Sequence, residues 1–120
     1  MIKKAMITLW ITLSALALNS HASMDEAISA YERGDHQTAF NTFSSLAAQG
    51  AREAQYQLGQ MYYQGEGVEK NKVKAYMWME LASKAGHMKA TKYNVILKEL
   101  MTPTQVEQAQ QLTDQWKRNP

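Results

Sequence analysis

A short apolar pattern occurs twice in this chain: Phe43-x-x-Leu46-Ala47 returns as Trp78-x-x-Leu81-Ala82, 35 residues later. Gly50-Ala51 returns as Gly86-His87 and Ala54 as Ala90, each at a spacing of 36. A period in the mid-thirties leaves few architectures open. Each unit is a helix pair that cannot bury its apolar face alone, so neighbouring units must stack to make one continuous core. At this length only about two and a half such units fit, which makes the end units a large share of the structure.

The hydrophobic spacing is helical almost throughout, and no strand-like alternation lasts more than a few residues. It predicts six helices. The first covers about Asp25 to Arg33, with Ala27, Ala30 and Tyr31 on one face and Gly34 as its stop. The second is capped by Asp35, carries Ala39, Phe40, Phe43, Leu46 and Ala47, and ends at Gly50. The third runs from Ala51 to Gln64 with Ala54, Leu58, Met61 and Tyr62 in register, and Gly65 is its expected left-handed stop. Asn71 caps the fourth, whose inner face is Val73, Tyr76, Met77, Trp78, Leu81 and Ala82, closed by Gly86. The fifth begins near His87 and carries Ala90, Tyr93, Ile96, Leu97 and Leu100 inward. The sixth opens on Thr102 and Pro103 with Gln105 closing a capping box, and stripes Val106, Ala109, Leu112 and Trp116 along one side.

The first residues read differently. Lys3 and Lys4 precede a mostly apolar run from Ala5 to Leu18, and Ser20 and Ala22 supply small residues for a cleavage site, the pattern of a secretory signal peptide over residues 1–22. A membrane anchor needs about 20 apolar residues, and Thr8, Thr12 and Ser14 interrupt this run. The expectation is therefore export to the periplasm or medium, without membrane insertion after cleavage. Removing Lys3 and Lys4 from the 13 basic residues leaves 11, which equals the 11 acidic ones. The charge is nonetheless polarised. Residues 23–69 hold seven acidic and two basic side chains, and residues 70–120 hold nine basic and four acidic, a distribution that steers charged partners more than it stabilises a fold. No overall basic footprint points to nucleic acid. The chain has no cysteine, so stability must come from packing without disulfides.

Residues 51–86 resemble a Sel-one-like repeat, a relative of the tetratricopeptide repeat. The resemblance rests on Ala54, Tyr56, Leu58-Gly59, Tyr62, Gly65-x-Gly67-Val68, Lys74-Ala75, Trp78, Ala82 and Gly86. Residues 24–50 look like a degenerate first repeat and 87–120 like capping helices, so the likeness spans a single domain over 23–120. It implies an all-α fold, a short tetratricopeptide-like superhelix of about six antiparallel helices. The residues also explain themselves. Gly59, Ala54, Ala75 and Ala82 let paired helices approach, while Leu58, Tyr62 and Trp78 fill the space between them. Val95 stands where Gly59 stood in the preceding unit, and the Gly-x-Gly turn is absent there, which marks the last unit as a cap.

Catalytic and ligand-binding patterns are thin. Gly65-Glu66-Gly67 follows a helix where a phosphate loop follows a strand, and it sets a carboxylate where the phosphate would sit. His36 and His87 lie 51 positions apart with no ligand at helical spacing, so no metal is expected. Ser44, Ser45 and Ser83 have no neighbouring base to make a nucleophile. No cofactor is implied. A polar and aromatic stripe on the third helix is more informative: Glu53, Tyr56, Gln60, Tyr63 and Gln64 recur at helical spacing. By resemblance to tetratricopeptide repeats these positions line a groove for a peptide or protein partner, although Tyr56 can equally pack against the neighbouring unit. The expected function is a non-enzymatic binding module, an adaptor or accessory subunit, acting as a monomer or weak dimer. An inhibitor of a toxin delivered to the periplasm is a second expectation. A β-lactamase-type hydrolase is a third, weakened by the lack of the cysteines found in relatives given that label.

Overall fold

The computed structural model describes residues 24–120, so the expected leader at 1–22 lies outside the described residues. Six helices and no strands occur among them: α1 over residues 24–32, α2 His36–Ala48, α3 Arg52–Gln64, α4 Lys72–Lys84, α5 Met88–Leu100 and α6 Pro103–Arg118. The starts of α2, α4 and α6 have a local cause. The Asp35 carboxylate accepts from the Thr38 amide at 3.3 Å, and Asn71 accepts from the Lys74 amide at 3.0 Å. Thr102 and Gln105 close the capping box reciprocally at 3.2 and 3.0 Å, with Pro103 at the first helical position. These groups satisfy amides that have no partner inside the helix.

The helices pair in sequence, with α2 on α3, α3 on α4, and α4 on both α5 and α6. Two clusters make up the core. Phe43, Leu58, Met61, Trp78 and Leu81 gather with Ala27, Ala30, Ala39 and Ala54 between the first four helices. Tyr56, Ala75, Tyr76, Met79, Ala82, Leu97, Met101 and Ala109 gather between α3, α4, α5 and α6. Ala54, Ala75 and Ala82 are fully buried, and Trp78 meets the Trp116 ring edge at 5.0 Å. The small residues thus sit at the close approaches and the large ones between them.

Gly59 sits at a close approach of α4 to α3. A Cβ built there would lie 2.9 Å from Met79 Cγ and 3.0 Å from Met79 Cε, closer than real side-chain carbons come. Its counterpart Val95 is 61% exposed. Where the valine replaces glycine, the second helix of the pair does not settle on the first: α6 turns away from α5 and lies along α4. The last two helices therefore depart from the hairpin pattern of α3 and α4. This also corrects the expected inner face of α5. Ile96 and Leu100 are 55% and 49% exposed, while Ala90 and Leu97 face the core. No helix among the described residues is long and apolar enough to cross a membrane.

Candidate functional site

The turn after α3 is built by backbone angles. Gly65 closes the helix at φ +73°, and Gly67 follows at φ +70°, both in the left-handed region that side chains resist. Gly67 also lies against the start of α2, where a Cβ would stand 2.4 Å from the His36 carbonyl oxygen. Val68 is half-buried in the same turn. Between the glycines, Glu66 accepts a hydrogen bond from the Tyr31 hydroxyl at 3.0 Å and pairs with His36 Nε2 at 3.4 Å. Burial, then the bond to Glu66, raises the Tyr31 pKa above its ordinary value and keeps the phenol a neutral donor. The Gly-Glu-Gly turn is a strap from the second helix pair to the first.

The α3 stripe is divided by the structure into two parts. Its first half is taken up inside the molecule. Tyr56 is only 6% exposed; its ring stacks on His87 at 4.2 Å and meets the Tyr93 ring edge-on at 5.9 Å. Tyr56 is thereby corrected from groove residue to seam residue, the packing alternative that its sequence left open. Glu53 joins the same seam, with His87 Nε2 2.7 Å from its Oε2. His87 Nδ1 accepts from the Ala90 amide to cap α5, which assigns the ring proton to Nε2 and makes it the donor to Glu53. Burial opposes the charge on Glu53, but the hydrogen bonds from Gln57 and His87 outweigh it and hold the carboxyl below its usual range. Gln60 Nε2 donates to the Tyr56 hydroxyl at 2.9 Å and to the Tyr93 hydroxyl at 3.3 Å. Glu53, Tyr56 and Gln60 thus clasp α3 to α5.

The second half remains available. Gln64 is exposed, and Tyr63 is half-buried, its ring resting on the second core cluster. Gln60 is half-buried beside them with its carbonyl oxygen uncommitted in the seam. Tyr62 turns inward instead, edge-on to Phe40 at 5.5 Å with the Lys74 ammonium 5.6 Å from its ring. The accessible part of the stripe is therefore an aromatic ledge between two amides at the C-terminal end of α3. Such a surface offers aromatic contact area and side-chain hydrogen-bonding groups. Among the described residues no three His, Asp or Glu side chains lie close enough to hold a metal ion.

Sequence reasoning did not find the two residues that complete the seam, His87 and Tyr93, in that role. Their signal was present as period: His87 follows Glu53 by 34 residues and Tyr93 follows Gln60 by 33, close to one repeat.

Stacked helix pairs, small residues at the approaches and a left-handed glycine turn define a helical-repeat scaffold. Residues 52–87 match the family model of the Sel1 repeat. Residues 52–87 thus form a Sel1 repeat within a small helical-repeat protein, and repeats of that kind generally mediate contacts between proteins. A solved structure from uropathogenic Escherichia coli, c5321, described as a protective antigen with an SLR fold, superposes with a TM-score of 0.65 at 35% sequence identity. The alignment covers 68% of this chain and 18% of c5321, so this chain spans a minor part of that protein's length. A comparison with curated proteins found no significant match.

Proposed function

We propose that this protein is an exported adaptor that binds a protein or peptide partner on the α3 surface formed by Gln60, Tyr63 and Gln64. The observation that carries the reading is the division of the stripe. Its first half is consumed in holding two units together, while its second half presents an aromatic side chain flanked by amides with hydrogen-bonding capacity to spare. Tyrosine supplies contact area at low entropic cost, and amides pair with a peptide backbone. Export is supported by the leader-like pattern of Lys3, Lys4 and the apolar run to Leu18.

The test compares proteins recovered after in vivo crosslinking with the wild type and with Tyr63→Ala/Gln64→Arg. Circular dichroism establishes that the variant is folded. A specific crosslinked species that is lost in the variant supports the surface; the same species recovered in equal yield from both removes it. Fractionation of the cell locates the protein, and retention of an unprocessed chain in the cytoplasm would sink the export reading.

A further inference from the structure

The exposed side of α5 is not an ordinary solvated helix face. Met88 is 78% exposed, Val95 61% and Ile96 55%, and they lie around Lys92 and Glu99, both exposed. Positions 88, 92, 95, 96 and 99 fall on one side of a 3.6-residue helix, opposite the buried Ala90 and Leu97. Single exposed apolar residues need no explanation, but three together on one helix face, with Leu100 at its edge, form a patch of the kind that marks a contact surface.

The order of residues along this face suggests what covers it. Reading Lys92, Val95, Ile96, Glu99, the pattern is basic, apolar, apolar, acidic, and it is symmetric about the midpoint between 95 and 96. An antiparallel copy of the same helix placed on it sets Val95 against Ile96 of the second copy. The same register sets Lys92 against Glu99 of the second copy, and the symmetry makes both pairs twice. A patch that is complementary to itself under a two-fold rotation is what an isologous dimer requires, and such an interface closes at two subunits.

We propose that α5 is the interface of a two-fold dimer, with Val95 and Ile96 at its centre and two Lys92–Glu99 pairs across it. This face is carried by α5 and the ledge by α3, and the substitutions that test the dimer leave Gln60, Tyr63 and Gln64 unchanged, so the two readings are tested by different variants.

The experiment is a sedimentation-equilibrium series on the protein expressed from its full coding sequence, with Lys92→Glu, Glu99→Lys, Ile96→Ser and an equimolar mixture of the two charge variants. The wild type is expected to pass from monomer to dimer with rising concentration. Each charge variant places like charges at both pair positions and should weaken the dimer by roughly tenfold, on the scale of two exposed ion pairs reversed in sign. Ile96→Ser should weaken it without any change of charge. The mixture should recover the wild-type affinity, because every pair in the heterodimer is then opposite in sign. All the altered side chains are exposed, and circular dichroism verifies that the variants fold. A monomeric wild type at every concentration overturns the proposal. So does a dimer indifferent to these substitutions, or a mixture that fails to recover, since a head-to-tail contact would not show that reciprocity.

Discussion

Gly59→Ala isolates the contact that sets the distance between α3 and α4. Two effects oppose each other. Alanine in mid-helix is favoured over glycine by about 0.5–1 kcal/mol, because the unfolded chain loses less freedom. Against that, the new Cβ would stand 2.9 Å from Met79 Cγ and 3.2 Å from its sulfur. Met79 is fully buried, and Cγ is the stem of the side chain, so relief requires a new χ1 or χ2 rotamer within a packed core. Overpacking of this kind costs about 1–3 kcal/mol. The net expectation is a loss of about 0.5–2 kcal/mol, with packing winning over propensity. Gly59→Val adds volume without alanine's propensity and should lose more, roughly 2–4 kcal/mol. Urea unfolding followed at 222 nm would show the alanine variant as a midpoint lowered by about 0.3–1 M, for an m-value near 1.5–2 kcal/mol/M. The decisive arm is the cycle with Met79→Ala. Truncating Met79 should itself cost about 2–5 kcal/mol, but the double variant should be more stable than the sum of the two by about 1 kcal/mol, since the cavity accepts the new methyl group. Additive effects, or an alanine variant as stable as the wild type, would refute the argument that Gly59 exists for helix approach.

Two further outcomes follow from the same geometry. Gly67→Ala should be far more damaging than Gly50→Ala: both glycines have positive φ, but only Gly67 would drive its Cβ onto a backbone carbonyl, at 2.4 Å. The expected losses are about 3 kcal/mol or more and about 1–2 kcal/mol, read by thermal unfolding, and equal losses would show that the close approach to His36 is relieved without cost. Glu53, whose folded pKa lies below its ordinary 4.5, contributes stability that is present above that value and lost as pH falls through the folded pKa. The stability gap between wild type and Glu53→Gln should therefore narrow as pH falls below about 4.5 in urea titrations; a gap that stays constant over that range would mean that the bonds to Glu53 do not depend on the carboxylate charge.

The order of helices was legible because its signals are local. Asp35, Asn71, Thr102 and the glycines act within one turn of the backbone they govern, and period then arranged the helices into pairs. Burial was less legible wherever it depended on which helices meet. Met79 is the clearest case. It lies off the apolar stripe assigned to α4, yet it is fully buried, because α3, α5 and α6 cover that helix on three sides and nearly every direction from it points inward. Ile96 and Leu100 fail in the opposite sense: their spacing is that of an inner face, but no helix arrives to cover them. Thr113, only 1% exposed and bonded to Glu80 Oε2 at 3.1 Å, is a polar residue on a stripe read as apolar. For the α3 site the polar stripe was visible as a pattern, but the division between seam and open surface was not. That division depends on His87 and Tyr93, which reach Glu53 and Gln60 only after the repeat has stacked.

The change from Gly59 to Val95 joins the fold to the surface of the protein. Glycine at the first position lets α4 lie close on α3 and be buried by it. At the second, valine's branched side chain would hold an equivalent partner away, and α6 instead finds its apolar contacts on α4, where Ala109 packs in the second cluster and Leu112 and Trp116 pack against the first. The cost of that exchange is an α5 left bare on the side a further helix would have covered. A stack that simply ended would be expected to meet water with polar side chains, whereas α5 meets it with Met88, Val95 and Ile96 interleaved with Lys92 and Glu99 of opposite sign. The residue that stands in the glycine's place also lies at the centre of the bare face. Val95→Gly thus separates two roles: a branch that would keep α6 off α5, and an apolar contact in the proposed dimer. Loss of dimer with an unchanged α4–α6 contact, seen as unaltered fluorescence from the Trp78–Trp116 pair, would assign the valine to the interface; a shift in that fluorescence would assign it to the path of α6.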